Sequence, residues 1–182
     1  MEIKITTKQI LQILYFLSWI IFVGLCIQAG AIIVSTIAKM TLDPIDAQKL
    51  WQEVDLSSLY AFDPVYFLIE ASFISIVIIL KAVIFYLIIK FLQDKKLDMS
   101  QPFSKEVVRF ITNIACLTFF IGLLSGWGIN YSKWFVQQGV KMPDAENMNL
   151  DGAGVWIFMS IIIFVIAQIF KRGIEIQSEN EL

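Results

Sequence analysis

Two ionisable residues stand inside one long apolar run, and they are the first candidates for chemistry. Glu70 and Lys81 interrupt the stretch from Val65 to Leu92, whose remainder includes FISIVIIL and AVIFYLII. They lie eleven positions apart, so they share a helix face but sit roughly 16 Å apart along its axis and cannot pair directly. A lysine near a bilayer centre costs about 2.5–3.5 kcal/mol on insertion scales. If Lys90 marks the inner interface, Lys81 is about 13–14 Å deeper, beyond the reach of its side chain. It should therefore face the bundle or a wet cavity. At its depth the other spans offer Ser18, Trp19, Thr118 and Ser160, with Asn113 nearer the inner face. Two readings stand: a ligand or coupling role, or packing through hydroxyl bonds, stacking on Trp19 or lipid contact. Glu70 lies close to the outer interface. It reads as an interfacial carboxylate paired with Lys39 or Lys133, or as a cation-attracting mouth.

Catalytic chemistry is poorly provided for. The 182 residues contain no histidine and two cysteines, Cys26 and Cys116, both inside apolar runs. That removes the commonest general base and metal ligand, and leaves no disulfide framework. Paired acids, metal clusters, phosphate loops and nucleophile elbows are missing from the pattern. The sequence therefore predicts no enzyme, no catalytic residue, no metal and no cofactor. Nucleic acid is an unfavoured partner, because the isoelectric point is about 5.1 and basic residues are spread along the chain.

The elements that must position these residues follow from charge-free gaps. Hydrophobic residues make up 58% of the chain and charged ones 16%, and mean hydropathy is +0.74. A soluble domain is roughly 45–50% apolar and about 25% charged. No charge falls between Lys8 and Lys39, between Arg109 and Lys133, or between Asp151 and Lys171. Each gap can supply the ~20 residues that cross a ~30 Å hydrocarbon core. With the Glu70–Lys81 stretch, four spanning helices are expected near residues 10–38, 65–92, 107–135 and 153–171. The fold class is an all-α integral membrane four-helix bundle, with the lipid bilayer as its first partner. The first span could be a signal peptide, since Ala29-Gly30-Ala31 resembles a cleavage site. Its apolar run is longer than a signal core and continues as IIVSTIA, which favours a retained helix.

Orientation follows from lysine and arginine. An even number of spans puts both termini on one side. With the termini inside, nine basic residues lie on the inner side (Lys4, Lys8, Lys90, Lys95, Lys96, Lys105, Arg109, Lys171, Arg172) and four outside (Lys39, Lys49, Lys133, Lys141). The expected topology is N-in, C-in.

Punctuation fits this layout. Asp63-Pro64 supplies an N-cap and an N1 proline for the second span. Ser104 can cap the third and Asp151 the fourth, while Gly173 can end the fourth in a left-handed conformation. The outer loop 39–64 carries Leu50 and Val54 four apart, which suits a short surface helix; a loop with aromatic anchors fits equally. The second outer loop, 136–151, reads as irregular. The inner loop 93–106 is a tight polar connector. Gly122-x-x-x-Gly126 with Gly128, and Ala71-x-x-x-Ser75, are small-residue patterns for close packing within the chain or in a homo-oligomer. Gln12, Gln28, Asn113, Asn130 and Gln168 suit cross-helix hydrogen bonds. Trp127, Trp134 and Trp156 suit the interfacial aromatic belt.

In the cytoplasmic tail, 172–182, Ile174 and Ile176 alternate with Glu175 and Gln177, as in a short exposed strand. It reads either as a solvated frayed end or as a docking segment formed by Lys171, Arg172, Glu175, Glu179, Asn180 and Glu181.

The runs FLQDKKLDMSQPFSKEVVRF and WIFMSIIIFVIAQIFKRGIEIQSENEL, together with four spans, resemble a bacterial membrane family, domain of unknown function 2975. The PFS-x-E-V loop and the FKRGIEIQSENEL tail are the most specific parts, and WQEVDLSSLY resembles versions from the Bacteroidetes lineage. The resemblance implies a small protein of the bacterial inner (cytoplasmic) membrane with no established biochemical activity. Family members often stand beside a small helix-turn-helix regulator. The expectation is a sensory or regulatory partner of such a cytoplasmic protein. A transport or channel subunit with a polar path near Glu70 and Lys81, and a structural accessory subunit, are the alternatives.

Overall fold

A computed structural model describes residues 7–41, 54–93 and 104–180. The suggested helix around Leu50, most of the inner loop and Glu181 lie outside the described residues. Helix α1 spans Thr7–Thr41, α2 Ser57–Phe62, α3 Pro64–Gln93, α4 Lys105–Gln137 and α5 Ala153–Asn180. No strand occurs among the described residues. The four long helices, α1, α3, α4 and α5, are each long and apolar enough to cross a membrane, so the chain is a multi-pass membrane protein.

Local sequence explains these helices. Their aliphatic side chains carry no competing polar groups. The serines and threonines within them mostly turn their hydroxyls back onto their own turns. Ser18 donates to the Leu14 carbonyl at 2.7 Å, Thr118 to Ile114 at 2.6 Å and Ser160 to Ile157 at 2.6 Å. Such hydroxyls need no partner helix in lipid, where every polar group must be satisfied. The expected caps form at two starts. Asp63 accepts from the Val65 N–H at 2.7 Å, and Ser104 accepts from Val107 N–H at 3.3 Å.

The helices pack in chain order: α1 on α3, α3 on α4, and α4 on α5. All three pairs are antiparallel. Phe22 meets Tyr86 while Lys39 lies over Phe67. Phe91 stacks on Phe110 at 4.1 Å while Tyr66 meets Phe135 at 5.3 Å. Gly122 and Gly126 of α4 face Ile157 and Ala153 of α5. A Cβ at Gly122 would stand 2.9 Å from the Ile157 backbone nitrogen, so the small-residue pattern serves contact within the chain. The core is concentrated on α3 and α4, where Phe67, Ile74, Val77, Ile78, Ile121 and Phe135 are buried. Apolar side chains on the outer faces of α1 and α5 are exposed, as lipid contact requires.

The segment after α4 departs from a simple surface loop. Residues 138–152 turn back along α4, burying Val140, Met148 and Leu150. Backbone bonds hold the turns: Val140 N–H donates to Phe135 at 3.1 Å, and Leu150 N–H to Ala145 at 3.0 Å. Leu150 presses on Gly128, where a Cβ would lie 2.7 Å from its Cδ1. Ala153, the first residue of α5, packs at Gly126. That position is eleven residues before the end of α4, roughly 16 Å along the axis. The second connection is irregular, as expected, but it re-enters the bundle.

Three expectations about punctuation and polarity are corrected. Gly173 does not end the last helix: its φ is not positive, and α5 runs on to Asn180. The tail is therefore a helix and not a strand. Asp151 does not sit at the cap position of α5; Gly152, at φ 68, precedes Ala153, and its carbonyl accepts from Trp156 at 3.0 Å. The cross-helix amide bonds do not form. Gln12, Asn113, Asn130 and Gln168 lie on exposed faces, and Gln28 is half-buried beside a cavity.

Candidate functional site

Three features carry polar chemistry: the Lys81 contact, the Glu70 pocket and the far end of α5.

Lys81 is held by the returning segment. Its Nζ donates to the backbone carbonyl of Asn149 at 2.9 Å and lies 5.4 Å from the centre of the Trp156 ring. Asn149 adopts a left-handed conformation, φ 57, a region that asparagine tolerates. Asp151 is within electrostatic reach of the ammonium. One side chain thus joins α3, the returning segment and the start of α5. A charge-assisted hydrogen bond is worth about 1.5–3 kcal/mol, and a cation–π contact about 0.5–2 kcal/mol. The sum is comparable to the insertion cost of the lysine. The partner differs from those expected. Trp19 meets Phe22 edge to face, Thr118 and Ser160 bond to their own helices, and the contact comes from Asn149 and Trp156. Trp156 is half-buried against Lys81, whereas Trp127 and Trp134 are exposed.

Glu70 is fully buried, at 0% exposure, which overturns its reading as an interfacial carboxylate. Neither carboxyl oxygen has a hydrogen-bond partner among the described residues. The pairing with Lys39 or Lys133 does not form. Lys39 places its ammonium 5.6 Å from the centre of the Phe67 ring, and Lys133 is exposed. The cause is the face Glu70 shares with Phe67, Ile74 and Val77, all buried. Aromatic rings collar the first turns of α3: Tyr60 on Phe67 at 5.3 Å, Tyr66 and Tyr131 at 6.3 Å, Phe73 and Tyr131 at 6.2 Å. Between Glu70 and Lys81, buried Ile74, Val77 and Ile78 fill the helix face.

At the far end of α5, Arg172 donates to Glu175 at 2.9 Å and stands 3.9 Å from Glu179. These side chains are 47–66% exposed, so the pairs add little stability. Lys171 is exposed on the same segment, and Asn180 is its last described residue. Three sequence candidates are thus brought together here, on a helix. They are far from Glu70 and Lys81. Asn149 and Trp156, which hold Lys81, were not among the candidates; a carbonyl 68 positions away leaves no side-chain signal.

Outside the membrane helices, Asp55 accepts from the Ser57 hydroxyl and from its backbone N–H. Those two bonds hold the Asp55 carboxyl below its ordinary range. Among the described residues no group of three or more Cys, Asp or Glu side chains could hold a metal ion.

The family described as protein of unknown function (DUF2975) matches residues 10–182. The chain belongs to the DUF2975 family. The DUF2975 match takes in nearly all of α1, both loops, the returning segment and the tail of α5. Comparison with the curated proteins and with the solved structures gave no match.

Proposed function

We propose that this DUF2975 protein is a non-enzymatic regulatory protein of the bacterial inner membrane, with both termini in the cytoplasm. It relays the state of its outer returning segment to a cytoplasmic partner, such as a helix-turn-helix regulator. One observation carries the reading: α5 is continuous from the Lys81–Trp156 contact to Asn180. Its 28 residues extend about 42 Å at 1.5 Å per residue. Its uncharged part ends at Phe170, so the last ten residues project past the apolar layer as an exposed charged helix. A displacement of Ala153 by the returning segment would be carried along a rigid rod to Lys171, Arg172, Glu175 and Glu179. The basic-residue asymmetry supports the cytoplasmic placement of that end. Docking through this segment would use a helix face and not strand addition.

A conduit through Glu70 and Lys81 is the weaker reading, because buried Ile74, Val77 and Ile78 separate them. Affinity capture from detergent extracts tests the relay with three forms: the full chain, residues 1–172, and Lys81→Met. The relay predicts a partner lost with the tail and altered in recovery by Lys81→Met. Identical partners from all three forms would refute it.

A further inference from the structure

Glu70 has no role in the relay, yet it is the most costly group in the fold to leave unexplained. A buried polar atom without a partner signals an unseen water, an ion or a functional constraint. Here two such atoms belong to one carboxyl group.

Each packed element can be asked for a counter-charge. On α1, Lys39 is engaged with the Phe67 ring. On α4, Tyr131 is a titratable neighbour within electrostatic reach of Glu70, and Tyr66 and Asp63 are within reach of that same Tyr131; Lys133 is exposed. On α2, Tyr60 packs on Phe67. Lys81 lies three turns away, bound to Asn149. No cation among the described residues neutralises the group. A metal ion would need several further oxygen ligands, and among the described residues no group of three or more Cys, Asp or Glu side chains could hold one. A proton needs none of these. A cavity of about 40 Å³, large enough for water, lies between the ends of α1 and α3. Gln28, Ser35, Thr36 and Lys39 line it on α1. Phe67 and Ile74, one turn to either side of Glu70, line it on α3.

We propose that Glu70 is a proton-binding site, a neutral carboxyl group held inside the fold, near a water-sized cavity lined by Phe67 and Ile74. The site stands apart from the relay, since it requires no partner at the α5 tail.

Infrared spectroscopy of the full chain in lipid at neutral pH reads the proton directly. The expected result is a carboxylic-acid carbonyl band that shifts on carbon-13 labelling of glutamate. It disappears in Glu70→Gln and persists in Glu106→Gln, whose parent side chain is exposed. A wild-type spectrum without this band, or a band unchanged in a folded Glu70→Gln, overturns the proposal. The labelled wild-type spectrum needs no variant, so the proposal stays testable even where Glu70→Gln fails to fold.

Discussion

Replacing Lys81 by Met tests how the returning segment is held. Methionine keeps the apolar stem and removes the ammonium, so packing along α3 changes little. Two contacts go: the bond to the Asn149 carbonyl and the cation–π contact with Trp156. The bond alone is worth about 1.5–3 kcal/mol, and the orphaned carbonyl resists burial. Against this, the variant no longer takes an ammonium out of water, a saving of about 2.5–3.5 kcal/mol. Global stability should therefore shift by no more than about 1–2 kcal/mol. Local stability should not be spared, because opening of residues 138–152 lets water reach the freed carbonyl. Each 1.4 kcal/mol is tenfold in an equilibrium, so local opening should rise roughly tenfold to a hundredfold. Hydrogen–deuterium exchange in detergent reads this at the amides of Met148 and Leu150, whose N–H groups are bonded at 3.1 and 3.0 Å. Faster exchange confined to 138–152 and the first turn of α5 is expected. Trp156→Leu should give a smaller effect, under about tenfold, since it removes only the ring contact. Unchanged exchange at 138–152 in Lys81→Met would show that the lysine does not hold the segment.

Other expectations concern packing and charge. Gly122→Val should force α4 from α5 and destabilise the chain by about 1–3 kcal/mol in a denaturant titration. Gly126→Ala should stay within about 0.5 kcal/mol, because its Cβ meets Ala153 at an ordinary 3.8 Å. Asp55 titrates below its ordinary range because of its Ser57 bonds. Its contribution is present above the unfolded value and is lost as pH falls through the folded one. Protection of the first amides of α2, taken relative to intrinsic exchange rates, should thus fall on acidification, and Asp55→Asn should abolish that dependence. Arg172→Gln should change global stability by less than about 1 kcal/mol, as its pairs are exposed; thermal unfolding reads this.

Three spans were legible because charges are absent from their apolar runs, and the α3 span because only Glu70 and Lys81 interrupt its apolar run; lipid tolerates few charges. Boundaries came within a few residues at α3 and α4, where Asp63 and Ser104 supply caps. The tail was not legible. Ile174 and Ile176 alternate with polar residues, a strand-like period, but the tail begins on a helix already nucleated and propagates it. Gly173 costs such a helix only about 1 kcal/mol. The depth of the returning segment was hidden too. Gly139, Pro143 and Asn147 announce turns but not where the turns lie. That depth depends on Gly128, whose missing side chain admits Leu150. Glu70 was misread for a related reason. Its distance from Pro64 suggested an interface, while the shared face of Phe67, Ile74 and Val77 pointed to burial.

The relay requires the returning segment and the α5 tail to stand on opposite sides of the membrane. In a background of Cys26→Ser and Cys116→Ser, Glu146→Cys and Ser178→Cys place single thiols at exposed positions in each. A membrane-impermeant maleimide should label position 146 only in right-side-out vesicles and position 178 only in inside-out vesicles. Labelling of both positions from the same side would contradict the account.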